Sequence, residues 1–549
     1  MPFLIRVPAV VVRRLCLLTL FYLALPLLIF FLGWLRPFCG IPASLLLLGT
    51  LGILTRRGWN VLPGEATPAR DEWSALTKAL LWTWVPIALM TLQVGVGGFG
   101  MGTYDWDNKH NLIFADLVRF SWPVIYHGEG TPSSGLMLVY YSAYYLPAAA
   151  VGKLLGWNAA NVAWQLWTQL GMLLVCGWLV AFAGTRVRWL GFLFLVFSGA
   201  ALLGFLVHNF DATLRLSPAS GARLMNFDAI HRWNTTVSYY VLYGSNILQL
   251  FWAPQHLLTG WLGISLLLNR WNAERIPEKN GASWDGGWGG SALFGWGMLV
   301  FWSPLAALGC LPFLLAVGAR EIRNSAREKD KKRDISTLKL TMSIVLTSAI
   351  CALVVALYLA VRTPPPPDAA PQRGEHLEFL LAPLLHIEGW HALWRYGTFV
   401  LVEFGLLYAL IWPRRNDREL RIWRAPLGVG LFVLLLLPCF IYGFYNDLSL
   451  RASIPSLAIL FFSTTIFLQS SFVSRARRAG VFVLLLCGTV VFLTYSRTVG
   501  HTLLHGQWNS RRPLAAFPTI IAEYSNDPRH LLSQYTGPTN SPFARFLAK

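Results

Sequence analysis

The stretch "LCLLTLFYLALPLLIFFLGW" (15–34) decides the fold of this chain. It carries no charged residue, and about 20 apolar residues in a helix cross the roughly 30 Å hydrocarbon layer of a membrane. A second block of this kind, "VFVLLLCGTVVFLTYS" (481–496), lies near the other end. Of the 549 residues, 55% are hydrophobic and only 13% are charged, about half the charged fraction of a soluble protein. The sequence therefore predicts an all-α polytopic membrane protein.

The apolar blocks predict about thirteen transmembrane helices. Pro304 falls inside one block, 290–318, where it would break one helix or join two short ones. If 136–155 spans the membrane and 290–318 is one helix, the loop 208–246 faces inward. If 136–155 lies in the interface and 290–318 is a short hairpin, that loop faces outward. The second interpretation is preferred because it keeps the basic links 186–188 and 269–275 inside. Both interpretations give thirteen crossings. The other predicted spans are 14–34, 39–55, 76–98, 160–183, 188–207, 247–268, 339–361, 393–411, 425–445, 451–471 and 479–497.

The net charge of +19 lies mainly in short links between apolar blocks. The three most basic links are "REIRNSAREKDKKRD" (320–334), "RRNDRELRIWR" (414–424) and "RARR" (475–478). Lysine and arginine in such links mark the cytoplasmic side of a membrane protein. The alternation of aromatic and basic residues that stacks on nucleic-acid bases is missing from them. The charge therefore predicts contact with membrane lipids and not with nucleic acid.

The positive links also predict the topology. Arg13–Arg14 and Arg56–Arg57 bracket a helical hairpin and belong inside, with a cytoplasmic N-terminus. The third span then carries "YDWDNKH" (104–110) to the outer surface. The three basic links named above also belong inside. Counting spans outward from them places 362–392 and the tail after residue 497 outside.

The first outer segment concentrates residues that can do chemistry. Asp107 suits the N-cap of a helix over "NKHNLIFADLVRF" (108–120), whose apolar residues predict a helix on the bilayer surface. Asp105 is not explained by that cap, and as a partly desolvated carboxylate it could take a proton from an acceptor hydroxyl. The alternative is that both aspartates end a helix and face water. Lys109 and His110 follow at once and are assigned to substrate binding.

"DWD" has the spacing of some metal sites, but two carboxylates alone do not define one. The sequence thus assigns no cofactor and no metal ligand, and it leaves a divalent cation open.

The loop 208–246 and the helix after it add a second group. Under the preferred topology this loop faces outward, and the residues assigned to substrate binding are Asp228, His231, Arg232, Gln255 and His256. The last two lie just inside a membrane span, where polar side chains are costly and often functional. The alternative for His256 is that it caps a neighbouring helix through one hydrogen bond.

A third group lies in "YNDLSLRASIP" (445–455). Asn446 and Asp447 form a natural tight turn. Arg451 begins an apolar span on the predicted outer face, where its guanidinium could fork onto two phosphate oxygens. Arg395, at the outer end of another span, offers the same chemistry, with snorkelling to the interface as its alternative. Together with Asn446 and Asp447, both arginines are assigned to substrate binding.

Several short motifs resemble the GT-C superfamily of membrane glycosyltransferases that use polyprenyl-phosphate sugars, and especially its bacterial members. The motifs are "YDWDNKHNLIFADL" (104–117), "WAPQH" (252–256), "WSPLAALGCLPFLL" (302–315), "NDLSLRASIP" (446–455) and the tail "SQYTGPTNSPFARFLAK" (533–549).

The resemblance implies an inverting enzyme of the bacterial cytoplasmic (inner) membrane, with its active site on the outer face. It implies a polyprenyl-phosphate-sugar donor, a lipid or glycan acceptor, and Asp105 as general base with Asp107 second. The domains it implies are an N-terminal hairpin with its cytoplasmic link (1–75), a GT-C-like catalytic domain (76–497) and a short outer tail (498–549). Because no large soluble domain follows the last span, a protein or peptide acceptor is disfavoured.

Two other functions stay open at this point. A polymerase or ligase of lipid-linked polysaccharide would share an outer acidic and basic site, but typically has a large outer loop where this chain has 362–392. A transporter or lipid flippase needs ionisable residues inside its spans, and Glu403 is the clear mid-span carboxylate.

Overall fold

The computed structural model describes residues 7–59, 68–100, 106–127, 135–208, 243–273, 284–285, 289–327, 335–362, 376–379, 389–415, 417, 419–443, 446–505, 515–524 and 532–549. The described residues are mostly helical, at 78%. Ten helices in the described ranges are long and apolar enough to cross a membrane. The predicted class, an all-α polytopic membrane protein, is confirmed, and the number of thirteen crossings stays a prediction.

The first half of the chain forms ten described helices. In chain order they are α1 Ala9–Trp34, α2 Pro37–Gly58, α3 Arg70–Thr91, α4 Asn111–Arg119, α5 Leu146–Leu155, α6 Trp157–Ala183, α7 Leu190–Val196, α8 Ala201–His208, α9 Asn246–Trp252 and α10 Pro254–Ala273. A π-helical turn, Trp106–His110, leads directly into α4.

The second half adds a further ten described helices. They are α11 Gly290–Trp302, α12 Pro304–Arg327, α13 Ile335–Leu359, α14 Trp390–Val400, α15 Leu406–Ile411, α16 Arg424–Leu436, α17 Asp447–Ala452, α18 Ile454–Gln469, α19 Arg475–His505 and α20 Phe517–Tyr524. A π-helical segment, Leu401–Gly405, joins α14 to α15. The five short strands are β1 Ile125–Tyr126, β2 Leu136–Leu138, β3 Glu378–Phe379, β4 Phe440–Ile441 and β5 Thr536–Pro538.

Prolines divide two of the predicted spans. The break expected at Pro304 is confirmed, because Ser303 is extended between α11 and α12. Pro254 breaks the predicted span 247–268 in the same way, with Ala253 outside helical geometry between α9 and α10. A proline cannot donate the backbone hydrogen bond that would continue the preceding helix. As a result, Gln255 and His256 lie in the first turn of α10, and Ser303 lies directly before α12.

The segment 136–155 is not one helix. Its first three residues form β2, and α5 begins only at Leu146. The ten residues of α5 rise about 15 Å, half the hydrocarbon thickness. The interpretation that 136–155 spans the membrane as a helix is therefore wrong. Gly156, with φ +86°, turns the chain from α5 into α6 in a conformation that only glycine adopts readily.

Helix α4 is present but does not lie on a surface. Leu112, Ile113 and Leu117 are buried as the amphipathic pattern requires, but Asp116 on the polar side is also fully buried. The C-terminal part of the chain covers that side, since the Phe517 N–H donates to Asp116 Oδ2 at 2.9 Å. The expectation of a helix lying on the bilayer surface is wrong for this reason.

The C-terminal tail pairs with the segment before α5. Strand β2 lies between β1 and β5 in an antiparallel sheet, with Met137 opposite Gly537. The Val139 N–H extends the pairing by donating to the Tyr535 carbonyl oxygen at 2.8 Å. The C-terminal tail thus lies beside the segment 139–145.

Candidate functional site

The site is built around Arg451 on the short helix α17. The helix begins after Asn446, which takes the left-handed conformation at φ +51° and accepts a hydrogen bond from the Ser449 N–H through its side chain. The Asn446 amide also donates to the Phe440 carbonyl oxygen at 2.8 Å. This buried asparagine fixes the turn from β4 into α17, so its observed role is structural. The predicted role in substrate binding stays a prediction.

Arg451 is held by two side chains. Its Nη2 lies 2.7 Å from Asp447 Oδ1, one helical turn earlier. Its Nη1 donates to the Tyr141 hydroxyl at 2.9 Å. The Arg451 side chain is 16% exposed and that of Asp447 is 30% exposed, so this ion pair is partly exposed. A guanidinium fixed on two sides is oriented before any ligand arrives.

Gly443 makes room for this ion pair. It has φ +86°, and a side-chain carbon there would lie 2.5 Å from Asp447 Oδ2. Any other residue would push against the carboxylate that holds Arg451.

His256 lies next to Tyr141, at a ring separation of 5.4 Å. Its Nδ1 is 2.7 Å from the Ser303 hydroxyl, and Ser303 Oγ accepts from the Ala306 N–H at the start of α12. Ser303 caps α12 and His256 bonds to Ser303, so the alternative that His256 itself caps a helix stays a prediction. The imidazole is 1% exposed, so it supports Tyr141 and Ser303 and does not face solvent.

The segment 106–110 also contacts this site, through hydrogen bonds to the end of α9 and to Tyr145. The Trp106 indole donates to the Phe251 carbonyl oxygen at 2.7 Å. His110 Nε2 lies 3.2 Å from the Trp252 carbonyl oxygen, and its Nδ1 lies 2.5 Å from the Tyr145 hydroxyl. Since a carbonyl can only accept, Nε2 carries a proton and is the donor. These bonds fix the chain immediately after Asp105.

Among its described side chains, the site has two permanent cations, Arg451 and Lys109, against the Asp447 carboxylate. Arg451, His110 and Lys109 all lie close enough to act electrostatically on His256. Lys109 is partly exposed, whereas His110 is buried. Among the described side chains, Asp447 is the carboxylate that pairs with Arg451. An arrangement of this charge favours an anion.

Two buried polar groups in the segments that form the site have no hydrogen-bond partner within the described protein. They are the Gln255 amide, at both its oxygen and its nitrogen, and Arg451 Nε. Gln255 is fully buried, one residue before His256. A buried amide with neither bond made is costly, and a bound ligand or water is the usual explanation.

A tyrosine cluster surrounds these charges, and the sequence reasoning missed it. Its members in "YYSAYY" (140–145) are Tyr140, Tyr141, Tyr144 and Tyr145, all at most 7% exposed. The rings of Tyr140 and Tyr141 are in contact, tilted by 31° with their centres 4.1 Å apart. Burial raises the pKa of Tyr140 and of Tyr145 well above the ordinary value, so both hydroxyls keep their protons at neutral pH. The density of tyrosines in this stretch was the available signal.

The remaining predicted residues are less well placed. Asp105, Asp228, His231 and Arg232 fall outside the described residues. Asp107 lies inside the π-helical turn, and His110 takes the position before α4, so the predicted N-cap at Asp107 is wrong. Arg395 lies partly exposed on α14, and its role stays a prediction.

The described residues hold no group of three or more histidine, cysteine, aspartate or glutamate side chains that could bind a metal ion. The side chains of Asp105 and Asp107 lie outside the described part of the chain. A divalent cation bound by them stays a prediction.

Comparisons of the chain with protein-family models, with curated proteins and with solved structures give no match.

Proposed function

We propose that this protein transfers a sugar from a polyprenyl-phosphate donor to a hydroxyl of a lipid or glycan acceptor, at the outer face of a bacterial cytoplasmic membrane. The observation that carries the proposal is the oriented guanidinium of Arg451. It is bound by Tyr141 and Asp447, is partly exposed, and lies close enough to interact electrostatically with the same histidine, His256, as Lys109 does.

The arginine is suited to a phosphate oxygen. Its Nη1 and Nη2 are directed by protein acceptors, while the buried Nε has no partner in the described protein. A guanidinium can give parallel hydrogen bonds to two oxygens of a phosphate. Lys109 adds a second cation, as the leaving group of a sugar phosphate would need when its charge develops.

The base is assigned to Asp105. This residue directly precedes Trp106, whose indole is anchored to Phe251 beside the site. The carboxylate would take the proton of the acceptor hydroxyl as its oxygen attacks the anomeric carbon. The bond from that carbon to the phosphate oxygen breaks, and the phosphate leaves with the electron pair toward Arg451. The sugar inverts its anomeric configuration in this single displacement.

The membrane setting supports a lipid-borne donor. A polyprenyl chain is too apolar to leave the bilayer, so an enzyme that uses it must bring its catalytic groups to the membrane surface. Helix α17 and α18 together form one apolar candidate span, Asp447–Gln469, and Arg451 is near its start. A headgroup at the membrane surface could reach the guanidinium while its tail stays in lipid.

The proposal is tested with purified protein in lipid nanodiscs. The probes are undecaprenyl phosphate carrying a radiolabelled hexose or pentose, with lipids and glycans extracted from bacterial membranes as acceptors. We expect label to move from the donor to an acceptor, and Asp105→Asn to abolish this transfer. Asp71→Asn, a change at an exposed carboxylate on α3, is the matched control and should be silent. Full transfer by Asp105→Asn would remove that residue as the base.

Glu403 supports transport as a second candidate function. It is 7% exposed in the π-helical segment Leu401–Gly405, and such segments often occur at functional sites. A side-chain carbon on Gly199 would lie 2.1 Å from its Oε2, so the carboxylate packs into the break between α7 and α8. Buried carboxylates at interrupted helices are typical of transporters. Loss of lipid translocation in Glu403→Gln, with no sugar transfer by the wild type, would favour this function.

A further inference from the structure

The C-terminal tail reaches the site through Tyr535. This residue immediately precedes β5, and its carbonyl oxygen accepts the Val139 N–H at 2.8 Å. Its ring lies 5.4 Å from that of Tyr140. Tyr140 in turn contacts the ring of Tyr141, the residue that binds Arg451. The tail therefore adds a fifth tyrosine to the cluster.

Tyr535 differs from the other four members in its exposure. Tyr140, Tyr141, Tyr144 and Tyr145 are buried, whereas Tyr535 is partly exposed. It also lies near enough to Arg451 to act on its charge. The buried tyrosines can orient their neighbours, whereas Tyr535 has exposed surface that a ligand of Arg451 could contact.

The tail is fixed on both sides of this residue. On one side, Asp116 Oδ2 accepts from the Phe517 N–H at 2.9 Å, and the Phe517 ring lies 5.3 Å from that of Tyr535. On the other side, the Arg36 side chain donates to the Ala548 carbonyl oxygen at 2.8 Å. Strand β5 pairs with β2 between these anchors. A side chain held in this way is preorganised, as ligand contacts need to be.

We propose that Tyr535 is a binding residue for the sugar of the donor, delivered to the site by the C-terminal tail. This inference rests on the proposed function. A tyrosine offers an apolar ring face and a polar hydroxyl at once, which matches a sugar ring with its C–H face and its hydroxyl groups. If Arg451 holds the phosphate, the group attached to that phosphate lies beside it, where Tyr535 is partly exposed. The tail thus contributes to the choice of sugar.

The experiment compares two lipids on the full-length protein in nanodiscs. One is bare undecaprenyl phosphate, and the other is the same lipid carrying one hexose or one pentose. Binding of each is measured by native mass spectrometry for the wild type, Tyr535→Ala, Tyr535→Phe and Arg451→Ala. Gln534→Ala, a change at the exposed residue next to Tyr535, is the control for disturbance of the tail.

We expect Tyr535→Ala to weaken binding of a glycosylated lipid about tenfold while binding of the bare phosphate lipid changes less than about twofold. Tyr535→Phe should restore most of the loss, because the ring face is kept. Arg451→Ala should weaken both lipids, and Gln534→Ala neither.

The outcomes separate this inference from the function on which it rests. If the wild type binds neither lipid, the proposed function is contradicted, and the sugar contact with it. If both lipids bind but Tyr535→Ala weakens them equally, or weakens neither, the site stands and the role of Tyr535 is overturned. Equal loss in Tyr535→Ala and Gln534→Ala would also overturn it, since that pattern reports a displaced tail.

Discussion

Arg451 and Tyr141 are 310 residues apart in the sequence, and a hydrogen bond of 2.9 Å joins their side chains. Tyr141 belongs to the segment that precedes α5, and Arg451 to α17. The bond connects the tyrosine cluster with the ion pair of Arg451 and Asp447. It makes the two halves of the chain parts of one candidate site.

Loss of the Tyr141 hydroxyl should weaken anion binding. In Tyr141→Phe, Arg451 keeps Asp447 but loses its second acceptor, so the guanidinium is less well oriented. We expect about two- to tenfold weaker binding of undecaprenyl phosphate, the range of one hydrogen bond. Native mass spectrometry measures the change. Tyr396→Phe removes a comparable hydrogen bond, to the Leu435 carbonyl oxygen, and should leave binding as it is; equal effects of both variants would contradict the role of Tyr141.

A buried charge cluster on α10 and α12 gives a prediction about stability. Arg270 Nε lies 2.6 Å from Glu321 Oε1, and its Nη1 lies 2.8 Å from Asp285 Oδ1. Arg270→Met would leave two buried carboxylates without their cation, whereas Asp285→Asn would leave a balanced pair. We expect the first change to lower the free energy of unfolding by about 3–5 kcal/mol and the second by clearly less. Thermal unfolding in detergent checks the order of the two variants, and the reverse order would show that another group compensates Glu321.

The tail anchor at Asp116 should make stability depend on pH. Burial raises the pKa of Asp116 to about 6, against about 3.9 in an unfolded chain. Because the folded state then binds the proton more tightly, this group's stabilising contribution is complete below about pH 4. It is lost as the pH rises toward and through about 6.

The comparison is between the wild type and Asp116→Asn, which cannot ionise. We expect the melting temperature of the wild type to fall relative to that of Asp116→Asn between about pH 4 and pH 6, and the difference to level off above that range. A difference that stays constant across this window would contradict the assigned ionisation of Asp116.

Glu403 separates the two candidate functions. If the chemistry lies at Arg451, Glu403→Gln should keep sugar transfer within about twofold of the wild type, since glutamine has nearly the same shape and fills the same place beside Gly199. The nanodisc transfer assay measures this directly. A variant that folds normally but has lost all sugar transfer would favour the transport function.

The sequence predicted the membrane fold because apolar blocks of helical length are a local signal. It also predicted that residues near His110, His256 and Arg451 would meet, because polar groups beside apolar spans are costly and need a reason. The helix break at Pro254 could also have been predicted, because a proline inside a span interrupts a helix there as it does at Pro304.

Other features depend on contacts that sequence spacing does not record. The burial of α4 follows from the docking of residue 517 on Asp116, about 400 positions away. The role of Tyr535 depends on the pairing of β5 with β2, two strands of three residues each. Such short strands carry too little periodicity to be found in a sequence. Asp105, the predicted base, lies outside the described residues, so its role still depends on experiment.

The central claim is that Arg451 binds the phosphate of a membrane lipid, and a cryo-EM structure of the protein with undecaprenyl phosphate tests it most directly. We expect a phosphate density within hydrogen-bond distance of the Arg451 guanidinium, about 3 Å between nitrogen and oxygen, and its loss in Arg451→Ala. Arg545→Ala, at an exposed arginine of the tail, should leave that density in place. A phosphate bound away from Arg451, or one that persists there in Arg451→Ala, would contradict the claim.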